Sequence, residues 1–293
     1  MNSKHTSCLV CESQTLNPVA GYYEKHQLVR CGNCGFVMME RIPTDEELSA
    51  FYASYAYDEE GYLSPLTINS YQALLDEFEP YRKTNRILDV GCGRGWFLLE
   101  AQKRGWEVYG TEYSPKAVEL CEKDGIQMLQ GALTEQGFDA DSFDVITSFE
   151  VLEHINNPIE DLGHIHRYLR SKGLFYLTTP NFNAITRYYL KAEYNIIHYP
   201  EHLSYYTKST LELLARKMDF KKVKFLSTGF SLTRFKTSQK ADSEEFIYEE
   251  SSDEKLRRSI ESKWYLGLLK NWINWALTVT NTGTTLKGYF EKK

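Results

Sequence analysis

The sequence lacks an apolar leader. Met1-Asn2-Ser3-Lys4-His5-Thr6-Ser7-Cys8 has no hydrophobic core, so a secretory signal is not expected there and a cytoplasmic protein is. Nowhere do about 18 apolar residues run uninterrupted, which argues against a spanning helix. A basic surplus is missing as well. The 34 Lys and Arg are outnumbered by 40 Asp and Glu, for a net charge of -6. A general polyanion binder needs a basic surface, so no nucleic-acid partner is expected. Internal repeats and low-complexity tracts are absent, which excludes repeat architectures.

What is present fits a globular protein. The 293 residues suffice for one large α/β domain and a small accessory module. Hydrophobic residues make up 42% and charged residues 25%, ordinary values for a folded chain. Four of the six cysteines fall in residues 1–40. Cys8-x-x-Cys11 and Cys31-x-x-Cys34 are separated by nineteen residues, and Gly32 and Gly35 suit tight knuckle turns. In a reducing compartment such pairs are metal ligands rather than disulfides. Two knuckles close a tetrahedral four-cysteine site with no open position, so a structural zinc ribbon is expected. Cys92 and Cys121 read as separate, buried small residues.

Residues 41–84 are polar and tyrosine-rich, with a helix start at Pro43-Thr44-Asp45-Glu46-Glu47-Leu48 and a second helix over 68–81. From Arg86 onward, apolar runs at 87–90, 107–111, 127–130, 143–149, 174–179 and 223–228 read as strands. Helices are predicted between them at 96–104, 115–124, 158–169 and 209–218, and a last strand at 286–290. The alternation predicts a doubly wound, mostly parallel α/β sheet of seven strands with helices on both faces.

One turn stands out. Ile87-Leu88-Asp89-Val90 runs into Gly91-Cys92-Gly93-Arg94-Gly95, and a helix follows. Glycines permit a sharp turn and close approach of a ligand to the backbone, and the helix start offers free N–H groups to an anion. Asp89 is placed to hold an ammonium, directly or through water. Glu112 ends the next strand, in Tyr109-Gly110-Thr111-Glu112-Tyr113-Ser114-Pro115, where an acid suits ribose hydroxyls. NAD is the alternative ligand, but dinucleotide sites prefer G-x-G-x-x-G, and here Trp96 stands at the sixth position.

Residues 86–235 resemble class I S-adenosylmethionine (SAM)-dependent methyltransferases. Leu88 to Gly95 resembles the first motif of that family and Glu112 its ribose-binding acid. Asp144-Val145-Ile146-Thr147-Ser148-Phe149-Glu150-Val151-Leu152-Glu153-His154 resembles the fourth strand segment. Gly173-Leu174-Phe175-Tyr176-Leu177-Thr178-Thr179-Pro180-Asn181 resembles the fifth. The resemblance implies a Rossmann-like fold that holds SAM through Asp89, Gly91, Cys92, Gly93, Gly95, Glu112, Tyr113, Phe149 and Glu150. Where many members carry an Asp that reads adenine, this chain has Gly131-Ala132-Leu133, so backbone at Ala132 and Leu133 is expected to serve.

A hydroxyl acceptor needs a base as it attacks, an amine less so. Glu150, His154 and His202 are the candidates. In ubiquinone-type O-methyltransferases a Glu-x-x-Glu-His motif similar to Glu150–His154 is associated with a divalent metal; the other reading is ligand contact by Glu150 and a structural role for Glu153 and His154. His202 lies in His198-Tyr199-Pro200-Glu201-His202-Leu203, in a loop expected to cover the methyl-transfer end; the other reading is a cap on the next helix. That loop resembles methyltransferases acting on sugars and small biosynthetic intermediates. The tyrosines of Phe51-Tyr52-Ala53-Ser54-Tyr55-Ala56-Tyr57 either pack over the cofactor or stripe the surface.

Residues 263–279 form an aromatic-rich amphipathic helix. Lys263, Gly267, Lys270, Asn271, Asn274 and Thr278 share one face, and the rest is apolar. That apolar face is expected to bury against the domain or a dimer partner, with a membrane surface as the alternative. The sequence thus predicts a zinc-ribbon module (1–40), a helical cap or linker (41–84) and a methyltransferase domain (85–293) with a helical insertion at 236–280. The expected reaction is O-methylation of a small molecule or a sugar or glycan intermediate. A non-catalytic SAM-binding scaffold and a ribbon-guided nucleic-acid methyltransferase are the alternatives. The Asn-Pro-Pro-Tyr type motif of amino-directed DNA enzymes is missing, and Ser148-Phe149-Glu150-Val151 stands in its place.

Overall fold

The computed structural model describes residues 3–44, 46–48, 51, 63–229 and 264–293. Of the tyrosine-rich segment only Phe51 lies among them; Tyr52, Tyr55 and Tyr57 lie outside the described residues.

Two sheets organise the chain. The N-terminal part supplies β1 (Leu16–Pro18), a short α1 (Tyr23–His26), β2 (Leu28–Cys31) and β3 (Val37–Met39). The rest supplies α2 (Pro65–Phe78), β4 (Arg86–Val90), α3 (Trp96–Lys103), β5 (Glu107–Glu112), α4 (Pro115–Lys123), β6 (Gln127–Gln130) and β7 (Phe143–Phe149). It continues through α5 (Pro158–Tyr168), β8 (Leu169–Pro180), α6 (Ile185–Leu190), β9 (Ser204–Tyr205), α7 (Lys208–Lys217), β10 (Phe220–Thr228), α8 (Trp264–Thr280) and β11 (Thr285–Lys292).

The large sheet runs β10-β11-β8-β7-β4-β5-β6. The neighbours β8, β7, β4, β5 and β6 pair in parallel, and β11 runs against the others, pairing antiparallel with both β8 and β10. The central strands are buried on both faces, which is why apolar residues do not alternate with exposed ones at 87–90 and 143–148 and even Asp89, Asp144, Thr147 and Ser148 are buried. Helix starts follow local chemistry: Ser114 accepts from the Ala117 N–H before Pro115, and Thr207 forms a reciprocal cap with Thr210. His202 therefore does not cap α7; Thr207 does.

Asp144 fixes the lower edge of the sheet. One carboxylate oxygen takes the Lys83 and Asn85 N–H groups at 2.6 and 2.8 Å, and the other takes Arg170 Nε at 2.6 Å. The buried charge is thus compensated on both oxygens.

The small sheet, β1-β2-β3-β9, is antiparallel throughout, and its fourth strand comes from far along the chain. Val37 pairs with Tyr205 and Met38 with Ser204. Ribbon residues Val10, Phe36 and Met38 join the same buried cluster as Leu88, Ile146 and Leu211. The ribbon is consequently built into the wall of the main domain.

Helix α8 departs from expectation. Two of its polar residues face the protein, while Lys270 and Asn271 are exposed: Asn274 Oδ1 accepts from the Gly229 N–H at 3.1 Å, and Thr278 Oγ1 donates to Ser227 O at 3.0 Å and accepts from its N–H at 3.2 Å. Leu268, Leu269, Trp272, Trp275 and Val279 face outward, each more than half exposed. The expected burial of the apolar face against the domain is therefore not what the structure has. Three hydrogen bonds to the end of β10 decide which face turns inward.

Candidate active site

The glycine turn lies at the carboxyl end of β4, with β5 on one side and β7 on the other. This is the switch point where open α/β sheets bind ligands. Gly91, Gly93 and Gly95 all have positive φ (69, 53 and 76°). Gly91 and Gly95 are also sterically pinned. A Cβ on Gly91 would lie 2.6 Å from Val151 Cγ2, and one on Gly95 2.6 Å from Ile126 Cδ1. The first turn of α3 follows at once, so its unpaired N–H groups open onto the loop.

Side chains expected to grip the ligand are already set. Glu112 accepts N–H bonds from Gly93 at 3.0 Å, Tyr113 at 2.8 Å and Ser114 at 3.0 Å. A carboxylate offers about four acceptor sites, so room remains for a hydroxyl. Gly131 N–H donates to Glu112 O at 2.8 Å, which brings the Ala132–Leu133 segment beside it. Ala132 is exposed there, and the Leu133 side chain is buried in the core. Asp89 is buried, and Thr147 Oγ1 donates to its Oδ1 at 2.7 Å. Burial pushes this carboxyl up to about 7, against the opposing Thr147 hydroxyl. The Phe149 ring packs among Tyr71, Phe97 and Tyr176.

Cys92 and Cys121, read from sequence as buried small residues separate from the ribbon, lie beneath this loop; Cys121 is buried and Cys92 half-buried. Cys121 Sγ donates to Gly93 O at 3.4 Å, and Cys92 Sγ lies 3.8 Å from the same oxygen. The parallel β4-β5 pairing and α4 bring them together, which sequence distance conceals.

The opposite wall begins where β7 ends. Glu150 has φ +52°, and its N–H donates to Thr178 O at 3.0 Å. Glu153, in the following 3-10 turn, is buried; Thr179 Oγ1 donates to its Oε2 at 2.9 Å, while Oε1 has no hydrogen-bond partner among the described residues and lies 4.0 Å from His154 Nε2. Burial, with Glu150 nearby, holds this carboxyl well above the usual carboxylate range.

Two histidines close over it. His154 Nδ1 lies 2.7 Å from Glu201 O, and His202 Nδ1 lies 2.7 Å from Ile196 O. A carbonyl only accepts, so each Nδ1 carries the proton. The carbonyl of Glu150 also faces the His154 ring. The two rings meet edge to face at 4.8 Å. Burial, aided by His154, pulls His202 down to about 4, so it is neutral near pH 7 with its lone pair on Nε2. Ligand atoms of Glu153, His154 and His202 lie within 4.8 Å of one another, close enough to hold a divalent cation. Backbone carbonyls fixing both tautomers are the usual outer support of metal-binding histidines. His198 lies at the surface beside Glu201, 3.3 Å away. Sequence reading missed Thr147 and Glu201. Nothing in a strand Thr signals a carboxylate partner, and Glu201 holds His154 through its backbone carbonyl, which its side chain does not signal.

The four ribbon cysteines converge as expected. Cys8 and Cys34 sulfurs are 3.6 Å apart, and Cys11 and Cys31 sulfurs 3.5 Å apart. A disulfide would need about 2.05 Å. A tetrahedral zinc with bonds of about 2.3 Å sets its sulfurs about 3.8 Å apart, so the donor set fits that ion. Val10 and Asn33 N–H groups point at the sulfurs of Cys8 and Cys31, at 3.5 and 3.4 Å, as thiolates require.

Comparison with known proteins identifies the domain. A family model described as "Methyltransferase domain" matches residues 64–224. A ubiquinone biosynthesis O-methyltransferase of Nitrosomonas europaea is 28% identical over 141 residues, covering 45% of this chain and 58% of the relative. Its counterpart in Azoarcus sp. is 31% identical over 105 residues, covering 33% and 45%. The matches thus span about half the length of these curated relatives. Among solved structures, a SAM-dependent methyltransferase from Archaeoglobus fulgidus superposes with a TM-score of 0.51 at 17% identity, covering 77% of this chain and 94% of that one. Phosphoethanolamine N-methyltransferase 2 of Haemonchus contortus, in complex with S-adenosyl-L-methionine, gives 0.56 at 18% identity, covering 88% and 62%. At these identities the structures attest the fold.

Proposed function

The chain belongs to the methyltransferase-domain family and has its class I, SAM-dependent fold, and from that premise we propose that it O-methylates a small molecule bearing an acidic or activatable hydroxyl. The observation that carries the choice of oxygen is the buried pair His154–His202, both with Nδ1 protonated on a backbone carbonyl. Such a neutral imidazole accepts the proton that a hydroxyl must lose and an amine need not. The similarity to ubiquinone biosynthesis O-methyltransferases supports the same reading.

When bound, SAM supplies a methyl group already activated on a sulfonium. The chain's work is positioning and proton removal. Gly91 to Gly95 admit the amino-acid end close to the backbone, and the start of α3 favours its carboxylate. Asp89 receives its ammonium, Glu112 the ribose hydroxyls, and the Ala132–Leu133 backbone the adenine. His202 takes the acceptor's proton on Nε2, with His154 packed on its ring to hold it. Glu150 orders the boundary between the two halves. The four cysteines would hold a zinc ion whose closed coordination serves structure alone.

The test is transfer of labelled methyl from SAM to a panel containing phenols, sugar nucleotides and primary amines, with products identified by mass. Labelled methyl ether is the expected product; transfer to amines alone, or none, sinks the reading. His202→Ala should lower kcat about 10²- to 10⁴-fold with SAM affinity unchanged. If added magnesium raises wild-type kcat and His202→Ala removes that response, the Glu153–His154–His202 cluster acts by holding a cation.

Asp89 gives a second test. Its folded carboxyl sits at about 7 against an ordinary 3.8. A raised carboxyl disfavours the ionised fold, so the contribution of Asp89 to ligand-free stability is fully present below 3.8 and is lost as pH rises through about 7. Asp89→Asn should therefore raise Tm at alkaline pH while weakening SAM binding at least about tenfold. Binding of SAM below pH 7 should expel a proton as the ammonium ionises Asp89. Calorimetry in buffers of different ionisation heat reads that proton, and its persistence in Asp89→Asn would exclude this residue as the source.

A further inference from the structure

The outward face of α8 stands apart from the methyl-transfer reading and does not rest on it. Leu268, Trp272, Trp275 and Val279 follow one another at spacings of four, three and four, so they form one stripe along the helix. They are 60, 64, 61 and 61% exposed, and Leu269 and Ile273 flank them at 51 and 40%. Two polar residues of the helix, Asn274 and Thr278, are spent on the protein, while Lys270 and Asn271 share the exposed surface with the stripe. A helix with its apolar face turned outward is built to be covered.

Charge narrows what covers it. The whole protein carries a net charge of -6, yet the stretch 262–290 contains no Asp or Glu. The only charged residue of the helix is Lys270, which is exposed. An acid-free patch rich in Trp and Leu beside a cation matches an anionic lipid surface, where indoles settle at the headgroup boundary. A stable protein interface usually takes about 20 to 30 residues a side, and this stripe is one helix wide. Spanning is not open to it, since no described helix is long and apolar enough to cross a membrane. We infer that α8 seats the protein peripherally on anionic membrane surfaces, its Trp272 and Trp275 inserted among the headgroups.

The experiment is sedimentation of the full chain with vesicles of phosphatidylglycerol and phosphatidylethanolamine, against vesicles of phosphatidylcholine alone. Wild type should pellet with the anionic vesicles and much less with the neutral ones. The double variant Trp272→Glu, Trp275→Glu should lose about tenfold or more of that binding. Both positions are exposed, and unchanged SAM affinity will show that the variant is folded. Vesicle binding that survives the double substitution overturns the inference. So does absence of vesicle binding by wild type. In that case analytical ultracentrifugation assigns the cover: a dimer broken by the same substitutions means a second copy, and a monomer means cover from within the chain.

Discussion

Gly93→Asp will abolish SAM binding. The position has φ +53°, and its N–H holds Glu112 Oε2 at 3.0 Å. An Asp there brings a carboxylate beside Glu112 and into the space meant for the ligand's own carboxylate. The backbone cost alone is about 1 to 2 kcal/mol for a non-glycine residue in this conformation, and Asp bears it better than most. Repulsion is the larger effect. Together they should weaken affinity by at least about 10²-fold, or roughly 2.7 kcal/mol. Gly93→Ala isolates the backbone component and should fall between wild type and Asp. Titration calorimetry reads both variants, and wild-type affinity in Gly93→Asp would remove the glycine turn from the binding site.

The second large effect should come from the ribbon. Cys31→Ser removes one of four sulfurs that already stand at zinc-like separations. Metal content should drop from about one zinc per chain to none, because a structural site needs all four ligands. Methyl transfer should collapse with it, although no cysteine of the ribbon touches the cleft. The route is the β3-β9 pairing. Met38 pairs with Ser204, and Met39 N–H donates to Leu203 O at 2.9 Å. Leu203 N–H in turn donates to Glu153 O at 2.8 Å, next to His154. Releasing the ribbon thus releases the wall that carries His202. SAM affinity should hold better than turnover, since the glycine turn is tied to β5 instead. Metal analysis with single-turnover assays would measure this, and a zinc-free protein of full activity would refute the coupling.

Much of the cofactor half was legible from residues alone. Gly91 to Gly95, Asp89 and Glu112 sit on consecutive strand ends, so their meeting follows from one βαβ unit. The acceptor half was less so. His154 and His202 were each visible, but their contact depends on how the loop after β8 folds back.

By itself the sequence determined the parallel sheet, the glycine turn with its two acids, and the paired cysteine knuckles. Each of these depends on short-range chemistry: buried apolar runs, left-handed backbone, ligand spacing within a turn. Only the tertiary structure decided that β9 completes the ribbon sheet, that Thr147 holds Asp89 and that two imidazoles share one pocket. It also decided which way α8 faces. Periodicity says which residues share a side of a helix; hydrogen bonds from Asn274 and Thr278 to β10 say which side turns inward. Long-range pairing of this kind leaves no local mark, because the partners are chosen by the sheet and not by their neighbours in the chain.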